Sequence, residues 1–310
     1  MKYLPKLQQL RIFHEIIRCG SIRAAARALN QSQPALTRAL RELEQTLGAT
    51  LLIRSNNGIT LTESGRAFAI RMRLILEELE RAADEIEQIN QHSQGGVAFG
   101  ISSLLAVTIL SSVLNDFKKD LPQASVVIKE AQLSTLLSAL REGQLDFAVG
   151  TIAPTVPVAE FVIEPLFVAP FGVAARIGHP LAHSRSLAQL KKGRWFMPET
   201  DMGYYQQIEK QILFGVSDVS QAPVRSDSSI CGLQLVLRED YLTVLSLARL
   251  ALDDFNQRLG VIPIEDALPD AVYSLVYSRS RPLTCTAQKM LDLVCRHVRC
   301  YNWRPVPHHC

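Results

Sequence analysis

The sequence predicts a small, mostly helical head, one long connecting helix and a two-lobed α/β domain, and three observations carry that reading. Short helical periods crowd the N-terminal end. A proline-free apolar seam with alternating four- and three-residue spacing then runs through 62–91. Beyond residue 97, short β-prone runs alternate with helical ones. A length of 310 residues suits two or three domains. A hydrophobic share of 47% with 20% charged residues points to packed cores rather than a disordered chain. The opening MKYLPKLQQL lacks a secretory apolar region, and no run of about 18 apolar residues occurs, so no membrane partner is expected. Six scattered cysteines without C-x-x-C read as reduced thiols of a cytosolic protein.

In the head, Leu7, Leu10, Phe13 and Ile17 recur at helical spacing up to Gly20. Ser21 is placed to cap a second, alanine-rich helix, and Ser32 a third with Pro34 in its first turn. Leu36, Leu40, Leu43 and Leu47 form the inward stripe of that third helix. Gln33, Thr37, Arg38, Arg41 and Gln45 lie opposite. Short helix, tight turn and a second helix with an Arg/Gln/Thr face suit major-groove recognition. Arg pairs with guanine, Gln with adenine, and hydroxyls and helix-start amides hold phosphates. Periodicity alone equally allows a three-helix module with an ordinary solvated face.

The segment after the third helix separates these readings. LLIR (51–54) and ITL (59–61) flank Ser55-Asn56-Asn57-Gly58, a hairpin by composition and hence a wing, with Arg54, Asn56 and Asn57 at its tip. The net charge of +3 supports a polyanion partner for this part. Residues 1–65 hold nine Lys/Arg against four Asp/Glu, and the other 245 hold 24 against 26. The run SIRAAARALNQSQPALTRALRELEQTLGATLLIRSNNGITLTESG (21–65) resembles the DNA-binding head of the LysR-type transcriptional regulators. The likeness lies in the alanine-rich helix, the N-x-SQPALTRAL-x-x-LE core, the L-G-x-x-L-x-x-R step and the G-x-x-LTE-x-G exit. The resemblance implies that Ser32, Gln33, Pro34, Thr37 and Arg38 lie at the DNA with Arg54 on the wing. Ser21, Arg23, Arg41 and Asn56 complete the expected DNA-binding set.

The connecting segment holds Phe68, Met72, Ile75, Leu79, Ala82, Ile86 and Ile89 at spacings of 4, 3, 4, 3, 4 and 3. A strict seam of this kind favours pairing with a second copy, so Phe68, Met72, Ile75, Leu79 and Ile86 are the expected dimerisation residues. A helix of this length spans roughly 40 Å. It sets two recognition helices a turn of DNA, or a multiple, apart on a pseudo-palindromic operator. The Ser/Gly-containing stretch 92–96 reads as the hinge.

Beyond it, runs at 97–101, 125–130 and 145–150, with helices at 104–118 and 133–141 between, have βαβ syntax and imply a largely parallel sheet. A second set at 171–175, 194–197, 223–226 and 241–246 follows. Runs at 259–264 and 271–277 and a final helix from about 284 then return to the first lobe. The expected boundaries are 1–62 for the head, 63–92 for the linker helix and 93–310 for the effector domain. Lobe I is about 97–165 and 265–303, and lobe II about 166–264. Ligands of open α/β sheets sit at strand carboxyl ends and helix starts. Those positions are Ser102, Ser103, Gln132, Ser134 and Thr151, then Thr200, Met202, Gly203, Tyr204, Asp227, Ser228 and Ser229. Such residues also serve as plain helix caps. The hydroxyls and amides suit a small carboxylate-bearing metabolite.

LREGQLDFAVGT (140–151) and GHPLA (178–182) resemble the periplasmic-binding-protein-like effector domain of the same family. EAQLS (130–134) and MGYY (202–205) resemble members that regulate amino-acid degradation operons, including the subgroup activating anaerobic threonine and serine breakdown. The family implies homodimers or homotetramers, an organic or amino-acid-like effector, RNA polymerase as a further candidate partner and a place at the cytoplasmic nucleoid. Catalysis is not expected, since the chain has no G-x-S-x-G, H-E-x-x-H, P-loop or G-x-G-x-x-G. Cys295, His297 and Cys300 are too loosely spaced for zinc, so no metal or cofactor is expected. Two rival readings are a two-lobed α/β transferase carrying a winged helix and an architectural DNA binder without a ligand.

Overall fold

The computed structural model describes residues 4–55, 58–91, 95–152, 158–199, 204–213, 222–252 and 257–305, and the chain forms two compact units, Met1–Gln91 and His92–Cys310. No helix among the described residues is long and apolar enough to cross a membrane.

The first unit orders α1 (Leu7–Cys19), α2 (Ile22–Ala28), α3 (Gln33–Leu47), β1 (Leu52–Ser55), β2 (Gly58–Leu61) and α4 (Glu63–Gln91). Ser21 Oγ accepts from the Ala24 amide at 3.1 Å and Ser32 Oγ from that of Ala35 at 3.4 Å, so both helices of the turn begin on a side-chain cap. Between them Asn30 takes the left-handed conformation at φ 52°, which Asn tolerates better than most residues. The leucine stripe of α3 meets Phe13 and Ile16 of α1. Each such side chain contributes about 1.5–3 kcal/mol by leaving water. Glu44 fixes the wing to α3, its Oε1 accepting from the Leu51 amide at 2.8 Å. Where the hairpin passes into α4, Gly65 sits so close to the wing strand that a Cβ there would lie 2.0 Å from the Leu51 carbonyl oxygen.

The seam of α4 divides in two. Ala69, Met72 and Leu76 are buried in the core of the head, with Phe68 packed against it. On another face of the helix, Ile75 (52% exposed), Leu79 (43%) and Ile86 (60%) lie open. Of the expected seam, Phe68 and Met72 therefore serve the head, whereas Ile75, Leu79 and Ile86 lie on a face that the head leaves open, Ile75 already so beside the buried Leu76.

The second unit orders β3 (Gly96–Ile101), α5 (Ser103–Thr108), α6 (Leu110–Asp120), β4 (Ser125–Glu130), α7 (Leu133–Arg141), β5 (Phe147–Thr151), β6 (Phe161–Ala169), β7 (Phe171–Arg176), α8 (Leu187–Leu190), β8 (Arg194–Pro198), α9 (Tyr204–Leu213), β9 (Val224–Ser226), α10 (Ser229–Arg238), β10 (Tyr241–Ser246), α11 (Leu247–Leu250), β11 (Leu259–Val261), β12 (Ala271–Ser278) and α12 (Cys285–Cys300). One sheet runs β4-β3-β5-β12-β6 and the other β11-β7-β10-β8-β9. The chain passes between them at Pro170 and again between Val261 and Ala271.

Four details differ from the sequence reading. The sheets are mixed rather than largely parallel. β12 runs antiparallel to β5 and β6, and β7 antiparallel to β10 and β11, because the strands at each crossing enter their sheets in the reverse direction. The helix expected over 104–118 is two helices, parted at Ile109, where φ is −110°. β6 was not anticipated. Glu164 and Pro165 interrupt its apolar pattern, and its proline is accommodated because β6 is an edge strand, with the register to β12 shifting at Tyr273/Ser274. Because β6 continues to Ala169, the first crossing falls later than the expected 165/166.

Candidate DNA-recognition surface and effector cleft

Burying Leu36, Leu40 and Leu43 leaves Gln33, Pro34, Arg38 and Arg41 exposed and Thr37 half-buried on the other side of α3. These five line a shallow depression of about 440 Å³. Among the described residues Arg38 and Arg41 have no carboxylate partner, so their guanidinium donors are open to solvent. Ser21 and Ser32 use an oxygen lone pair for their caps, which leaves each O–H free to donate outward. Arg23 is exposed on α2. The hairpin carrying Arg54 is present, but its side chain and Asn56 lie outside the described residues.

The second site lies between the lobes of the larger unit. It is a cavity of about 70 Å³. Sheet one supplies Ser103, Glu130, Ala131 and Gln132. From sheet two and its helices come Tyr205, the turn 226–229 and Arg249. An apolar arm runs along α10 between Phe196, Gly232, Leu233, Val236, Leu245 and Leu259. Gly232 is what lets α10 approach so closely, since a Cβ there would fall 2.1 Å from Phe196 Cε1. Ser228 Oγ caps α10 by accepting from the Cys231 amide at 3.3 Å, so the helix start is aimed at the cavity. Across the cleft, Ser229 Oγ donates to Glu130 Oε1 at 3.3 Å and ties β4 of one lobe to α10 of the other.

Arg249 is 8% exposed, and burial lowers its pKa against the attraction of Tyr205, Glu130 and Tyr273. Burial pushes the Tyr205 phenol up to about 12 and raises Tyr273 well above the ordinary tyrosine range. Both therefore remain neutral hydroxyls beside a charged guanidinium. The cleft presents a buried cation with carboxylates nearer solvent, Glu130 and Asp227 both being exposed.

Residues 7–66 match the family described as bacterial regulatory helix-turn-helix protein, lysR family, and residues 90–299 match the LysR substrate binding domain. The chain belongs to the LysR family of transcriptional regulators. It is thus a regulator with a DNA-binding head and a ligand-binding domain, not an enzyme, as the resemblance of its sequence implies. It is 34% identical over 290 residues to the HTH-type transcriptional regulator TdcA of Escherichia coli strain K12, covering 94% of this chain and 92% of that one. With PcaQ of Agrobacterium fabrum it shares 29% identity over 84% of each. Among solved structures, full-length CbnR complexed with its target DNA aligns with a TM-score of 0.65 at 20% identity, over 94% of this chain and 99% of that one. A full-length OxyR variant from Pseudomonas aeruginosa aligns at 0.63 and 19%, over 96% and 95%. At those identities the likeness is one of fold.

Of the residues expected around the effector, Ser103, Gln132, Asp227, Ser228 and Ser229 line the cavity. Ser102, Ser134, Thr151 and Tyr204 do not. Ser102 donates its amide to Val149 within the fold, Thr151 pairs with Tyr273 in the sheet, and the Tyr204 hydroxyl donates to the Pro269 carbonyl. Thr200, Met202 and Gly203 lie outside the described residues. Sequence reasoning missed Glu130, Tyr205 and Arg249. A search for hydroxyls and amides at strand ends passes over an arginine. Yet Arg249 follows directly on β10 through the Ser246 cap, and charge at that position was the available signal.

Proposed function

We propose that this regulator recognises a pseudo-palindromic operator through paired α3 helices and changes its DNA complex when a small carboxylate-bearing or amino-acid-like effector enters the cleft between its lobes. The observation that carries the reading is a buried, charged Arg249 lining an interlobe cavity in a chain whose recognition helix exposes Arg38 and Arg41, without a carboxylate partner among the described residues. Gln33 and Arg38 read base edges. Arg41, Arg23 and the hydroxyls of Ser21, Ser32 and Thr37 meet phosphates, with Arg54 and Asn56 on the wing. Ile75, Leu79 and Ile86 form the seam that joins two copies, as a homodimer or as half of a homotetramer. RNA polymerase is the downstream partner, and the cytoplasmic nucleoid the place of action.

The effector acts only through unequal affinity for two arrangements of the lobes, and a full switch from 1:99 to 99:1 needs about 10⁴-fold discrimination. Genomic footprinting of the purified protein at one stated salt concentration, with and without pooled metabolites, tests the scheme. Discrete sites with partial dyad symmetry that change with metabolites are expected. Diffuse, strongly salt-dependent protection would instead mark an architectural binder.

A further inference from the structure

If the cleft is an effector site, the order of charge along it narrows the class of ligand. Arg249 is buried, whereas Glu130 and Asp227 are exposed at the same cavity. A ligand therefore meets carboxylates on the way in and a guanidinium further inside. We propose that the cleft selects a small zwitterion, an α-amino-acid-like molecule whose carboxylate pairs with Arg249 and whose ammonium faces Glu130, with its side chain in the apolar arm beside Phe196 and Leu233.

The alternatives fail on charge or size. A dicarboxylate would set one anion against Arg249 and the other against Glu130 and Asp227. A simple amine or polyamine would bring a cation to the buried guanidinium. A neutral sugar would bring no charge to either the guanidinium or the carboxylates of the cavity. A cavity of about 70 Å³ has no room for a nucleotide. Tyr205 and Tyr273 keep their protons and offer Arg249 dipoles, while Glu130 attracts it from the exposed side of the cavity. Glu130 is also the acceptor of the interlobe bond from Ser229. An ammonium placed there joins a residue that already ties the lobes, so ligand charge and lobe arrangement meet at one carboxylate.

The test uses the full chain with three matched probe sets: the twenty common L-amino acids, their desamino carboxylic acids, and the corresponding amines. Binding is followed by calorimetry and by the shift in melting temperature. At least one amino acid is expected to bind, with its desamino acid and its amine each weaker by about tenfold or more, the worth of one charge-assisted contact. Arg249→Gln should abolish the binding. Because that residue is buried, its variant is checked by a thermal melt. The exposed Glu130→Gln gives the second reading, retaining the desamino acid's affinity while losing the preference for the amino acid by about tenfold.

Desamino acids or dicarboxylates binding as well as amino acids, with loss of binding in Arg249→Gln, would overturn the zwitterion and leave the cleft as an effector site. No binding in any of the three sets would also overturn the zwitterion. Footprints that respond to pooled metabolites would still uphold the sensor, and footprints that never respond would remove it.

Discussion

The recognition helix and the effector cleft are both polar surfaces on apolar cores, yet they are assembled in opposite ways. The first is a run from Gln33 to Arg41 on a single helix, displayed because the leucines of that helix face inward. The second draws on β4, β8, β9, β10, β11 and four helices, and its arginine is buried. A surface made by one element depends on that element's period and caps. A cavity made by many depends on how closely they approach, and is lost when one of them is held off by an ångström. The head should therefore respond to changes of chemistry and the cleft to changes of shape, with Gly65 an exception at which shape rules the head too.

The largest expected effect tests that exception. Gly65→Ala drives a Cβ into the backbone carbonyl of Leu51, which no rotamer change relieves, and should cost the head about 3 kcal/mol or more. A differential scan is expected to show the transition of the head fall while that of residues 92–310 stays. A single transition shifting as a whole would show that the two units do not melt separately.

Next, Gly232→Ala presses on the Phe196 ring and should cost about 1–3 kcal/mol. Because both residues line the cleft, metabolite-dependent footprints should vanish while operator affinity without ligand stays unchanged. An unaltered response would mean that the apolar arm is not part of the ligand site.

Arg38→Ala is expected to weaken the operator complex by about 1–3 kcal/mol and to relax the base preference at one position of each half-site, with no change in melting temperature. Uniform weakening on all sequences, with a shallower salt dependence, would make Arg38 a phosphate contact. The smallest effect is Ser228→Ala, which removes the α10 cap at about 1 kcal/mol. The melt of the effector domain should fall slightly. A larger loss of ligand affinity than of stability would assign the hydroxyl to the ligand as well.

Legibility followed the same division. The caps at Ser21 and Ser32, the leucine stripe of α3 and the wing were readable because each depends on neighbours within a few residues. The seam of α4 was readable as a period but not in its use, since Met72 and Ile75 obey the same spacing and only the head decides which of them is covered. β6 escaped because an edge strand tolerates a proline and an acid that look like a break. In the cleft, Ser103 and Ser228 stood out as helix starts. Tyr205 was eclipsed by Tyr204, and adjacent tyrosines on a helix differ only in which way the helix is turned.

The sequence by itself determined the order of most elements, the outward face of α3 and the two-lobed plan, because hydrophobic period, capping and turn chemistry act over short stretches of chain. The tertiary structure alone decided which strands run antiparallel, which part of the α4 stripe stays open and that a buried Arg249 shares a cavity with Glu130. The strand pairings and the cavity arise from the approach of segments that can lie more than a hundred residues apart, and no local period encodes the distance at which they meet.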